Sequence, residues 1–209
     1  MFRQTTSKFR LQYYLSNLLL SLSLFLSFII LNNIDHTINL RVFSEKKFAF
    51  LILLMCWFIS LYSLKRLKKT LNSTANKFST NKTIAQASFS RKFNPGFRDF
   101  LLSNVLPLTF TFSFNDSPIS SCGMFCVLNI FMYFFYKNSS DFLPNLSLML
   151  FGNFSIVPAD FKGKEIYVFV NTTEISDIIG AKSAVMFIEG TQDKTKQVAL
   201  VVTENGKIK

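Results

Sequence analysis

The sequence predicts a mainly α-helical membrane protein, with four transmembrane helices and both termini cytoplasmic, followed by a small α+β, β-rich cytoplasmic module. Three observations carry that prediction. Long apolar runs recur through residues 1–137. Residues 65–98, lying between two of them, hold nine Lys/Arg and no Asp or Glu, and basic segments beside spans stay on the cytoplasmic side. The pattern then changes: residues 138–209 hold seven Lys and eight acids, and their apolar residues fall into short β-rich runs.

The first span is predicted at about 11–31, long enough to cross ~30 Å of hydrocarbon. Arg3, Lys8 and Arg10 precede it and hold its start inside. It resembles a signal peptide in its charged beginning, but Asn32-Asn33-Ile34-Asp35 follows where a small-residue cleavage site would stand. It therefore reads as a retained anchor. The second span, 48–64, is framed by Lys46 and Lys47 before it and by Lys65, Arg66, Lys68 and Lys69 after it. Their heads can snorkel to the lipid headgroups. Trp57 lies mid-run, away from the interfacial belt, and reads as a helix-packing residue.

The third span, 100–114, is short and contains Asn104 and Pro107. Its second half, Leu108–Phe114, alternates with period two, a strand signal. A lone strand in lipid would leave its backbone N–H and C=O groups unpaired, so a helix kinked at Pro107 is predicted instead. Asn115-Asp116-Ser117-Pro118 is a turn signal. The fourth span, 119–136, ends at Lys137. With both termini inside, thirteen Lys/Arg of the membrane half lie in the cytoplasm and Arg41, Lys46 and Lys47 outside. Residues 1–137 thus form the membrane domain and 138–160 a linker or interfacial segment. The module spans 161–209.

Within that module, Ile166–Val170 is a continuous apolar strand. Thr172-Thr173-Glu174 caps a short helix that places Ile175, Ile178 and Ile179 on one face and stops at Gly180. Ala184–Ile188 and Gln197–Thr203 read as two more strands joined by a polar loop. About fifty residues bury too little apolar surface for much stability alone, so the module is expected to dock on the helices or on other copies.

No catalytic signature is visible. The chain has one histidine, His36, and lacks a phosphate-binding Gly-rich loop, HExxH and G-x-S-x-G. The reading is therefore a non-enzyme without cofactor or metal. Cys56, Cys122 and Cys126 all lie in apolar runs and read as small buried hydrophobes. An ion pathway is usually marked by ionisable residues inside spans, and the four span cores hold none.

Helix packing is assigned to Ser16, Ser23 and Ser27, on one face of the first span, and to Asn104 and Asn129, which can hydrogen-bond across helices. The basic segment, with Lys65, Arg66, Lys68, Lys69, Arg91 and Lys92, is read first as an orientation signal that attracts anionic lipid. Docking of an acidic protein partner ranks second. Direct nucleic-acid contact ranks last, because the interleaved Phe78, Phe89, Phe93 and Phe97 suit interfacial insertion better than base stacking.

Four hydrophobic spans, a short chain and a small cytoplasmic C-terminal module resemble the membrane-subunit family, KwaA, of the two-component Kiwa phage-defence system of bacteria. The resemblance is one of architecture and carries over no functional residue. It implies a homo-oligomer in the bacterial inner membrane that detects infection and recruits a soluble, DNA-binding partner. The leading reading is thus a membrane sensor or anchor with a cytoplasmic protein partner; a small oligomeric pore or permeability effector is the alternative.

Overall fold

The computed structural model describes residues 6–32, 45–76, 85–89, 109, 114, 116–138, 144–188 and 198–201. Three helices dominate: α1 (Ser7–Asn32), α2 (Glu45–Asn76) and α3 (Pro118–Asn138). Each is long and apolar enough to cross a membrane. Of the predicted third span only Thr109 and Phe114 fall among the described residues, so its course lies outside them.

At 1.5 Å per residue, α2 with its 32 residues is about 48 Å long, well beyond the hydrocarbon thickness. Its apolar part exposes Phe48, Leu51, Met55, Phe58, Ile59 and Tyr62. The last turns carry the basic cluster. Here the sequence reading needs a correction. The stretch after residue 64 is not a loop at its start, because good helix formers such as Leu67, Lys68, Lys69 and Leu71 continue the helix to Asn76.

One polar contact joins α1 to α2. The indole Nε1 of Trp57 donates to Ser23 Oγ at 2.9 Å, and Ser23 Oγ donates to the Leu19 carbonyl at 2.7 Å. Trp57 is the packing residue its position suggested. On α3, Tyr14 of α1 donates to the Asn129 carbonyl at 2.8 Å.

The segment after α3 forms a short helix, α4 (Leu146–Gly152). The Asn145 side chain caps it by accepting from the Leu148 N–H at 2.9 Å. Asn153, in the left-handed region with φ 61°, closes it.

Beyond it lies a closed five-stranded barrel. Its strands are β1 (Ala85–Phe89), β2 (Phe154–Phe161), β3 (Lys164–Asn171), β4 (Lys182–Phe187) and β5 (Val198–Val201), in the order β1-β2-β3-β5-β4. β3 and β5 run parallel and the other pairs antiparallel. A turn of 3-10 helix, Thr172–Glu174, and α5 (Ile175–Ile178) connect β3 to β4. Lys162 and Gly163, both with positive φ, make the tight β2–β3 turn.

The module boundary is also corrected. The barrel does not begin at residue 161. Its first C-terminal strand starts at Phe154, and β1 comes from the basic segment between α2 and α3. That strand pairs Ser88 with Asp160 on one side and Ala85 with Val185 on the other. Without it, β2 and β4 would be open edges. A five-residue strand with small Ala87 and apolar Phe89 inside a charged stretch gives too short a period-2 signal to stand out.

Ala87, Val157, Ala159, Ile166, Val168, Val170, Ile178, Val185, Ala199 and Val201 fill the barrel. The outward residues of β2, β3 and β5, namely Phe154, Ile156, Phe169 and Leu200, belong instead to the core of the helices. The uninterrupted Ile166–Val170 run follows from this: β3 is buried on both faces.

Candidate functional site: the helix–barrel junction

The barrel meets the helices through a packed set of aromatic rings. Phe169 on β3 meets Phe9 and Tyr13 of α1 edge to face, each at 6.3 Å between centroids. Tyr13 stacks on Tyr136 of α3 at 6.2 Å, and Tyr14 lies 5.3 Å from Tyr133 and 5.8 Å from Tyr136. Arg10 Nη1 reaches the carbonyl of Lys137 at 3.4 Å, where the α3 dipole presents partial negative charge. The start of α1, the end of α3 and the barrel therefore share one end of the bundle.

A polar staple lies beside the rings. Asn145 Nδ2 donates to the Tyr13 carbonyl at 3.1 Å and to Ser16 Oγ at 2.7 Å. Ser147 Oγ donates to the Asn17 carbonyl and accepts from the Leu20 N–H, both at 3.1 Å. These contacts tie α4, and through it the first strand of the barrel's C-terminal half, to two turns of α1. Leu150 and Phe151 on α4 face outward.

Asn17 sits in the same place, fully buried, yet neither its Nδ2 nor its Oδ1 has a hydrogen-bond partner among the described residues. An unsatisfied buried amide costs about 1–3 kcal/mol.

The residues named from sequence separate into groups. Ser16, Ser23 and Asn129 are spent inside the subunit, on Asn145, Trp57 and Tyr14. Ser27 is exposed. Lys65, Arg66 and Lys69 are exposed and Lys68 half-buried on the far turns of α2, so this part of the cluster forms one helical surface. Asn104, Arg91 and Lys92 lie outside the described residues.

Sequence reasoning missed Tyr13, Tyr14, Asn145, Ser147 and Phe169. Two signals were available. Paired tyrosines near the basic end of a span suit an interface where one end is apolar and the other wet, and Asn145 directly before Leu146 suits an N-cap.

The barrel also has an open groove lined by Ser88, Phe89, Pro158, Ala159, Asp160 and Glu165. Asp160 Oδ1 there accepts from the Gly163 N–H, a turn-closing role. Among the described residues no group of three or more His, Cys, Asp or Glu is arranged to hold a metal ion.

The arrangement defines a class: a bundle with three helices long and apolar enough to cross a membrane, welded at one end to a barrel. The chain belongs to the anti-phage protein KwaA family, whose family model matches residues 9–189. It therefore has a role in phage defence. No curated protein and no solved structure matches it.

Proposed function

We propose that this protein is a non-enzymatic membrane sensor and anchor that oligomerises and holds a cytoplasmic partner through its barrel and basic surface. The observation that carries the reading is the seating of Phe169 against Phe9 and Tyr13. A barrel packed this way moves with the helix ends, so a disturbance of the bundle reaches the surface a partner would contact.

The proposal includes four crossings, with both termini cytoplasmic. Two contacts support it. Arg10 touches the end of α3, so α3 begins at the end of the bundle away from the barrel. Phe114 packs edge to face on Phe25, ten residues further along α1 than Leu15 and well past the junction. The chain between Phe89, in the barrel, and Phe114 must cover that distance. The positive-inside bias sets the barrel end in the cytoplasm.

The pore alternative loses support from the same geometry. Polar side chains that would line a shared axis, Ser16, Ser23 and Asn129, are consumed within the subunit.

Topology is tested by single cysteines placed at positions 38, 75 and 205 of a protein lacking its own three. In intact cells the first should label with an impermeant maleimide and the other two should not. Labelling at 205 alone of the latter pair would overturn the four-crossing proposal. Purification of the protein from infected and uninfected cells in mild detergent tests the anchor: a stoichiometric soluble partner is expected, and its absence in both would sink the reading.

A further inference from the structure

Among the described residues, the large apolar side chains that stand exposed lie on α1, α2 and α3, with one exception. Leu150 and Phe151, on α4, are 58% and 54% exposed. The described residues of the barrel strands expose none. Leu146 and Met149 are half-buried, so the surface that α4 shows is apolar throughout. The one polar side chain within the helix, Ser147, is turned inward onto α1. A helix at a wet surface puts its polar side outward; α4 does the reverse.

Its level is set by α1. Arg10 reaches the end of α3 at Lys137, and these two cations mark the wet end of the bundle. Ser147 holds Asn17 and Leu20. Asn17 lies two turns further along α1 than Arg10, about 10 Å at 1.5 Å per residue. Interfacial helices settle their apolar faces about 5–10 Å into the boundary between headgroups and acyl chains. On α3, Phe134 and Phe135 are exposed beside Tyr133, and Tyr133 packs on Tyr14, one turn before Asn17. The exposed pair on α4 therefore stands at the level of the outer apolar surface of α3.

We propose that Leu150 and Phe151 form a lipid-contact site, entering the headgroup end of the acyl region of the cytoplasmic leaflet. The ligand is a phospholipid acyl chain, and the proposal rests on the membrane reading given above. A second copy fits the pair less well. Two side chains beside a barrel that exposes no large apolar residue offer far less than the ~800 Å² per partner of a standard protein interface. Asn153 closes α4 and β2 begins at the next residue. The contact thus holds the barrel's first C-terminal strand to the bilayer, beside the hold that Phe169 exerts through α1.

The test reconstitutes the unaltered full chain in vesicles of a phospholipid with a diazirine in one acyl chain. After illumination, adducts are expected on Leu150 or Phe151 and on exposed span residues such as Phe58 and Phe131, and none on residues 154–171. Adducts on the spans without any on α4 would overturn the proposal and leave the membrane reading standing. Adducts on neither would sink both. Depth is read from Phe151→Trp in a Trp57→Phe background, with flotation reporting insertion. Its emission should be quenched more by lipid brominated near the headgroup end of the chain than by lipid brominated near the terminal methyl. Lys164→Trp in the same background, at the exposed β2–β3 turn, should be quenched by neither. A blue-shifted but unquenched Trp at position 151 would assign the face to protein, a second copy included, and overturn the proposal.

Discussion

Tyr13 and Phe169 meet edge to face with 6.3 Å between their centroids, and both rings are fully buried. One belongs to the second turn of the first helix, the other to the outer face of a barrel strand 156 positions later in the chain. The contact makes the barrel part of the helix core. In five-stranded barrels of the OB type the β2–β3 face is where ligands bind; here that face carries the protein's own helices.

Phe169→Ala should therefore uncouple the two parts. Emptying a buried Phe site costs about 3–5 kcal/mol. The expected outcome is helices that still insert, with the barrel released to limited proteolysis and phage protection lost. Protease protection equal to the parent's would show that the junction is held by other contacts.

Asn17 makes the opposite prediction. Its amide is fully buried with no partner among the described residues, so Asn17→Leu, close in volume, removes a polar group that those residues leave unsatisfied. Stability in detergent should stay level or rise by about 1–3 kcal/mol, read as the midpoint of thermal unfolding. A clear fall would mean the amide has a partner in the working assembly. Unchanged stability with lost phage protection would point to the same conclusion.

The basic turns of α2 can be neutralised without touching the core. Lys65, Arg66 and Lys69 are exposed, and each cation near an anionic surface is worth about 1 kcal/mol. Replacing these three and Lys68 with Gln should lower co-sedimentation with anionic vesicles of the isolated α2 C-terminal peptide, and weaken partner retention by the whole protein. Thermal stability of the bundle should change little. Retention and sedimentation equal to the parent's would reduce the cluster to an insertion signal.

The helices were legible because each long apolar run carries its own evidence, and the bilayer leaves few alternatives to a helix. Strands β3, β4 and β5 were legible as short apolar runs rich in Val. The barrel's closure was not. β1 is Ala-Gln-Ala-Ser-Phe, residues 85–89, whose membership depends on pairing with strands 70 or more positions away. The junction was hidden for the same reason. Nothing local to Phe169 says that its neighbours are Phe9 and Tyr13.

That hidden strand supplies the sharpest test of the whole reading. Ala87 points into the barrel, is almost wholly buried and pairs with Ser183. In Ala87→Pro the ring removes a backbone donor from a strand hydrogen-bonded on both sides, where proline is not tolerated, at a cost of roughly 3 kcal/mol or more. The change lies far in sequence from residues 154–201, yet it should open β2 and β4 and leave the C-terminal half sensitive to protease. Insertion should survive, because it depends on span hydrophobicity. An anchor working through its barrel then loses its partner and its phage protection. A pore built from the spans alone keeps its ion flux in liposomes, and flux from the Ala87→Pro protein equal to the parent's would favour that alternative.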